Sequence, residues 1–183
     1  MVSRNNSRLY EGSVPLSPDV DIIPNFPVIV HRESVQSEWI DYNGHMNVAY
    51  YVLAFDHATD RVFALLDLGI DYVRRTNCSA FVLETHVTYQ REVHEGTPLD
   101  FKFQLIDADE KRIHLYFEML HGEDGWVSAT SELIVLHVNL SSRRSVKFNE
   151  DTQKRLDVMF NAHRHLDLPS GVGRSIGMHR KKS

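Results

Sequence analysis

From Val48 to Leu68 apolar residues fill most positions, and the strongly polar ones, Asp56, His57, Asp60 and Arg61, recur at spacings of three and four. Residues so spaced share one helical face. The pattern therefore predicts a long helix with a narrow polar stripe and an apolar surface nearly all round, which other elements must wrap. Gly69 is the expected C′ residue that ends it.

The flanking segments read as strands. Val28, Ile29 and Val30 begin one that is expected to run through Val35 towards Trp39. Further on, Phe81, Leu83, Val87, Tyr89 and Val93 alternate with Glu84, His86, Thr88, Gln90 and Glu92, the period of two that marks a strand with one polar face. Leu99, Phe101, Phe103 and Leu105 repeat the pattern, and so do Ile113, Leu115, Phe117 and Met119. The polar turns 107–111 and 122–125 make hairpins between them. Trp126 to Leu140 is the last and longest strand; its poorer alternation predicts partial burial of both faces. Asn149 then caps a helix from Glu150 to about His163, with Leu156, Met159 and Phe160 inward. One helix cannot cover both faces of a sheet, but a curved antiparallel sheet can wrap one helix. The expected class is α+β.

With 183 residues and 42% hydrophobic content, the chain supports one main domain. We divide it into an N-terminal extension (1–27), the domain proper (28–148), and a C-terminal helix with a basic tail (149–183). The formal charge of −5 argues against nucleic acid or an anionic membrane as partner. Cys78 is the only cysteine, so no internal disulfide forms, which fits the cytoplasm. The extension has no apolar core of a signal peptide, and no apolar run reaches the ~20 residues of a membrane span. Eleven histidines invite a metal, but none of their spacings makes a chelate: His163 and His165 point apart on a helix. Neither a metal nor a cofactor is expected.

The chemistry concentrates ahead of the long helix, where Asp41, Asn43, His45 and Asn47 form a polar loop that Gly44 allows to turn tightly. The helix N-terminus presents unpaired N–H groups and a positive dipole end to that loop. A carboxylate beside fixed N–H donors is the equipment of acyl transfer: one group to attack or activate water, another to hold an oxyanion. Asp41 is the carboxylate, either as nucleophile or as general base. It lies six residues from Asn47 and is too far away to cap a helix starting at Val48. Asn47 serves as N-cap, orients the water or thioester, or does both. His45 either moves a proton or pins the loop. Trp39, Tyr42, Tyr50, Tyr51 and Phe55 surround the loop in sequence and are candidates for the acyl pocket, with core packing as their ordinary role. Glu84 and His86 project together from one strand face, as a solvent or subunit contact or as a second polar group of the site. Arg91, Lys111, Arg112, Arg143 and Arg144 are the candidate cations for a phosphorylated ligand, against an ordinary solvated surface.

The D-x-x-G of Asp41–Gly44 and the N-G-H-M-N of Asn43–Asn47 resemble the hotdog-fold acyl-CoA thioesterases of the 4-hydroxybenzoyl-CoA thioesterase type, over residues 28–148. Glu84-Thr85-His86, Tyr89-x-Arg91-Glu92, Lys111-Arg112-Ile113-His114 and Leu136-His137-Val138 followed by Arg143-Arg144 resemble, more narrowly, the betainyl-CoA thioesterases of carnitine catabolism. Some of those are fused to carnitine dehydrogenase, but no G-x-G-x-x-G unit precedes the domain here. The resemblance implies a curved antiparallel sheet around one central helix, Asp41 as the catalytic carboxylate, and the Val48 backbone N–H as oxyanion donor. The implied substrate is an acyl-CoA, for whose phosphates the five basic residues are the candidates. Exposed edge strands predict a homodimer or homotetramer with the site between subunits. Three other readings are a general short- or medium-chain thioesterase, a hotdog hydratase or dehydratase, and a non-catalytic acyl-CoA-binding protein. The pre-helix aspartate fits hydrolysis better than dehydration, and neither tail makes a DNA-binding segment.

Overall fold

The structure, a computed structural model, describes residues 28–178; the N-terminal extension and residues 179–183 of the basic tail lie outside the described residues. Strand β1 (Val28–Ser34) leads through a 3₁₀ turn (Ser37–Trp39) to helix α1 (Val48–Leu65) and a short helix α2 (Ile70–Thr76). Strands β2 (Cys78–Tyr89), β3 (Pro98–Ala108), β4 (Arg112–His121), β5 (Val127–Asn139) and β6 (Arg144–Ser145) follow, then helix α3 (Glu150–His163). The strands form one antiparallel sheet in the order β1-β3-β4-β5-β2, with β6 also paired to β5.

Helix α1 lies on the inner face of this sheet. Tyr51, Ala54, Phe55, Ala58, Thr59 and Val62 are its buried residues, the spacing of a single helical stripe. Ala54 and Ala58 let the helix approach closely, and the Phe55 ring meets those of Phe101 and Phe117 at 5.8 and 6.4 Å. The opposite side of α1 is open within one chain, leaving Val48, Val52 and Leu53 exposed. The helix expected to be wrapped all round is therefore wrapped on one side only. Helix α3 closes the far end: beyond the last residue that β1 reaches, the Leu105 N–H donates to His163 Nδ1 at 2.9 Å.

Three boundaries differ from the sequence reading. Helix α1 ends at Leu65, with Asp67 in the left-handed region at φ 55°, and Gly69 is instead the N-cap of α2, an element hidden inside the apolar run. Strand β1 stops at Ser34, and the chain coils at 37–39 rather than extending to Trp39. Strand β2 runs from Cys78 to Tyr89 with a register shift between Val82 and Glu84. That bulge breaks the expected alternation, and Leu83 is 58% exposed rather than in the core.

A buried polar node fixes α2 against β5. His137 Nδ1 donates to the Val146 carbonyl at 3.0 Å, so its Nε2 accepts the Tyr72 hydroxyl, also at 3.0 Å. Burial pushes the His137 pKa below its ordinary 6.5, although backbone contacts to Val146 and Lys147 oppose this. As pH falls through 6.5, the unfolded chain takes up a proton that the folded chain refuses, so stability is lost downward from there. We expect the melting temperature to fall between pH 7.5 and 5.5, and to fall less in His137→Gln, when both are followed by circular dichroism. Equal pH slopes in the two proteins would refute the assignment.

Candidate active site

The loop between Trp39 and Val48 is a tight hairpin. The Asp41 N–H donates to the His45 carbonyl at 3.0 Å, Ile40 bridges Met46, and the Asn47 N–H donates to the Trp39 carbonyl at 2.8 Å. Gly44, at φ +83°, makes the reversal, a conformation that side chains with a Cβ rarely adopt. This pairing folds Asp41 back beside the residues that start the helix, closing the gap of six residues in sequence. Asn47 is the N-cap: its Oδ1 accepts the Ala49 N–H at 3.0 Å. Asp41 is left out of capping, and its Oδ1 accepts the Asn43 N–H at 2.8 Å. The first turn of α1 holds no acidic residue, so the positive helix end remains uncompensated by its own side chains. Val48 opens the helix at the position whose N–H lacks an intrahelical acceptor.

His45 Nδ1 lies 3.3 Å from the Met46 carbonyl, and its Nε2 points towards Glu92 at 4.0 Å. Glu92 also faces His94 at 3.9 Å, and His94 Nδ1 donates to the Gly44 carbonyl at 3.0 Å. Glu92 and His94 thus join the site from the segment after β2. The sequence pattern missed them because it extended that strand through Val93.

The aromatic candidates separate. Phe55 is 2% exposed and fills the core under the sheet, because its helical position faces inward, so it does not line a substrate pocket in this chain. Trp39 and Tyr51 are also buried, Trp39 stacked on Tyr50 at 5.7 Å and Tyr51 edge-on to Tyr89 at 5.1 Å. Half-buried Tyr50 and Tyr42, at 97% exposure, are left at the loop. Glu84 and His86 lie on the other face of the sheet. His86 pairs across with Glu132, and Glu132 with Tyr116, whereas the face touching α1 carries Phe117. Within one chain they are sealed off from Asp41 by the sheet itself. They border the C-terminal segment instead, where Gly173 donates its N–H to the Glu132 carboxylate.

The basic candidates also divide. Arg91 sits at the Tyr89 end of β2, its guanidinium 3.8 Å over the Trp126 ring. Lys111, Arg112, Arg143 and Arg144 gather at the Cys78 end: the Lys111 carbonyl accepts the His137 N–H, Arg144 pairs with Asn139, and Arg143 lies over the Phe81 ring. Arg112 is already engaged with Asp109 at 2.7 Å. One chain alone does not bring these four to its own Asp41.

The same Cys78 end holds a cavity of about 830 Å³ between α1, α2 and β2, lined in part by His31, Asp56, His57, Asp60, Phe63 and Phe81. The polar stripe seen in the sequence borders this space. Burial pushes the Asp60 carboxyl upward, and the neighbouring Asp56 charge adds to it. Burial also pushes Glu33 upward, but hydrogen bonds from His31 and His57 outweigh it and hold that carboxyl below its usual range.

Residues 35–156 match the Thioesterase-like superfamily. The chain is 38% identical to the betainyl-CoA thioesterase of Pseudomonas aeruginosa, over 81% of its own length and 93% of the relative's. It belongs to the thioesterase-like superfamily. The L-carnitine dehydrogenase/betainyl-CoA thioesterase of Rhizobium sp. is 31% identical, and the chain spans 33% of that longer protein. The Staphylococcus aureus protein SAV2348, solved in complex with CoA, superposes with a TM-score of 0.78 at 27% identity, covering 84% of this chain and 98% of that one. The fold is the hotdog fold, and the chain is a thioester hydrolase of the acyl-CoA thioesterase class. Among the described residues no helix is long and apolar enough to cross a membrane.

Proposed function

We propose that this thioesterase hydrolyses betainyl-CoA to glycine betaine and CoA, with a site built by two subunits. The observation that carries the substrate is the 38% identity to a betainyl-CoA thioesterase over 81% of this chain and 93% of that one. In the reaction, Asp41 either takes a proton from the water that attacks the thioester carbon, or attacks that carbon itself to form an acyl anhydride. A water then cleaves the anhydride to release glycine betaine, restore the Asp41 carboxylate and supply the proton for the CoA thiolate. The Val48 N–H steadies the oxygen that gains charge, the C–S bond breaks, and the CoA sulfur leaves with a proton.

The direction of β2 supports this subunit arrangement. Its Tyr89 end touches Tyr51 near the start of α1, and Ser79 to Phe81 share a cavity with Phe63 and Ala64 near its end. Helix and edge strand thus run in opposite directions. Two copies joined antiparallel through β2 would set one chain's Asp41 loop beside the other's Cys78 end, with its Lys111, Arg112, Arg143 and Arg144. The division of the basic residues within one chain then becomes a complementary pair of half-sites. The exposed apolar residues Val48, Val52 and Leu53 of α1 are covered in the same step.

Betaine carries a permanent trimethylammonium charge, so a pocket must replace its hydration. Each aromatic contact to a desolvated cation contributes roughly 1–2 kcal/mol, so two or three sum to about 2–6 kcal/mol and favour the cation by about 30- to 10⁴-fold. An uncharged pocket would gain only ~0.8 kcal/mol per methylene. We expect kcat/KM for betainyl-CoA to exceed that for 3,3-dimethylbutyryl-CoA, its uncharged near-isostere, by at least ~10-fold. Tyr42→Leu, which removes the exposed ring of the loop, should shrink the ratio. Equal or better turnover of the neutral ester would leave a general short-chain thioesterase.

A further inference from the structure

We propose that His31, Glu33 and His57 form a binding site for one divalent transition-metal ion of the zinc type. His31 and Glu33 are alternate residues of β1, and His57 reaches them from the middle of α1. Glu33 divides its carboxylate between the two rings: Oε2 lies 3.0 Å from His57 Nδ1, and Oε1 lies 3.4 Å from His31 Nε2. One donor atom from each of the three residues lies within 4.8 Å of the others. Ligation at about 2.0–2.2 Å sets donor atoms about 3–3.5 Å apart, so the widest gap has to close by little more than about an ångström. The side chains are 0%, 7% and 14% exposed, in the order His31, Glu33, His57. Packing already directs the three groups to a common point, and no exposed side chain has to be ordered.

The donor set chooses the class of ion. Two imidazole nitrogens and one carboxylate suit zinc, cobalt or nickel, whereas magnesium and calcium take oxygen donors. His31 and His57 also line the 830 Å³ cavity beside α1. Three protein ligands would therefore leave a further coordination position open to that space, the pattern of a metal that keeps an exchangeable water. Spacing along the sequence cannot reveal this trio, because two donors belong to a strand and the third to a helix 24 residues beyond Glu33.

The test is metal binding to the full-length protein after chelator treatment, read without any substrate. Titration with Zn²⁺ by calorimetry and with Co²⁺ by visible absorption should give one ion per chain and a cobalt d–d band. His57→Ala should weaken Zn²⁺ at least ~100-fold and remove the band, and Glu33→Gln should do the same. Asp56→Asn, adjacent in the cavity but outside the trio, should bind as the wild type does. His57 is the least buried of the three, so its variant remains informative if Glu33→Gln fails to fold. Absence of binding at 100 μM Zn²⁺, or binding unchanged in His57→Ala, would overturn the site. Neither result bears on thioester hydrolysis, which is measured separately.

Discussion

Replacing Asp41 by Asn is expected to leave the protein folded and to lower kcat at least ~100-fold, within the ~10²–10⁴ range typical of a positioned acid–base group. The structure separates the two consequences. In the folded chain the carboxylate accepts one hydrogen bond, from the Asn43 N–H at 2.8 Å, and an asparagine amide oxygen can accept it equally. Helix capping is carried by Asn47, not Asp41. The Asp41 backbone bonds to His45 and Gly44 do not depend on the side chain. What the substitution removes is the negative charge and basicity next to an uncompensated helix N-terminus. Initial rates of CoA thiol release at saturating substrate, with a thermal melt of each protein, give both numbers. A variant that melts like wild type and turns over at a similar rate would remove Asp41 from the mechanism.

The loop that carries this prediction was legible because its signals are local. Gly44 marks the reversal, Asn47 the cap, and the apolar run the helix, each within a few residues of the next. The four long strands were legible for the same reason, since alternation is a property of neighbours. Long-range placement was not. Phe55 sits near the loop in sequence, but which side of α1 faces the sheet depends on Phe101 and Phe117, strands away. Glu84 and His86 look like a site pair on a strand, yet the face they occupy follows from the bulge at Val82 and from pairing with β5. Helix α2 was hidden because Leu66, Leu68 and Ile70 continue the apolar run while the backbone breaks at Asp67. The trio of His31, Glu33 and His57 exists only once β1 lies along α1.

Breaking the β2 edge is expected to give a folded monomer with at least ~100-fold less activity, because each site would lose the half supplied by its neighbour. Leu83 is the position to change. It lies near the middle of β2, 58% exposed, on a strand that pairs only with β5 among the described strands. Lysine there places a charge where a second strand must dock, the device by which natural edge strands avoid pairing. Because Leu83 is outside the core, Leu83→Lys should cost the monomer little stability. Light scattering gives the mass, and thiol release gives the rate. A fully active monomer would refute the two-subunit site. Complementation tests the same geometry without dismantling it. A chain with Asp41→Asn keeps its basic end, and a chain with Arg112→Ala and Arg144→Ala keeps its Asp41. If Asp41 of one subunit works with the basic end of the other, mixed dimers hold one intact site and one lacking both parts. Random reassociation makes about half of the dimers mixed, so about a quarter of wild-type activity should return. If each chain instead used its own basic end, every site would lack one part and mixing would restore nothing.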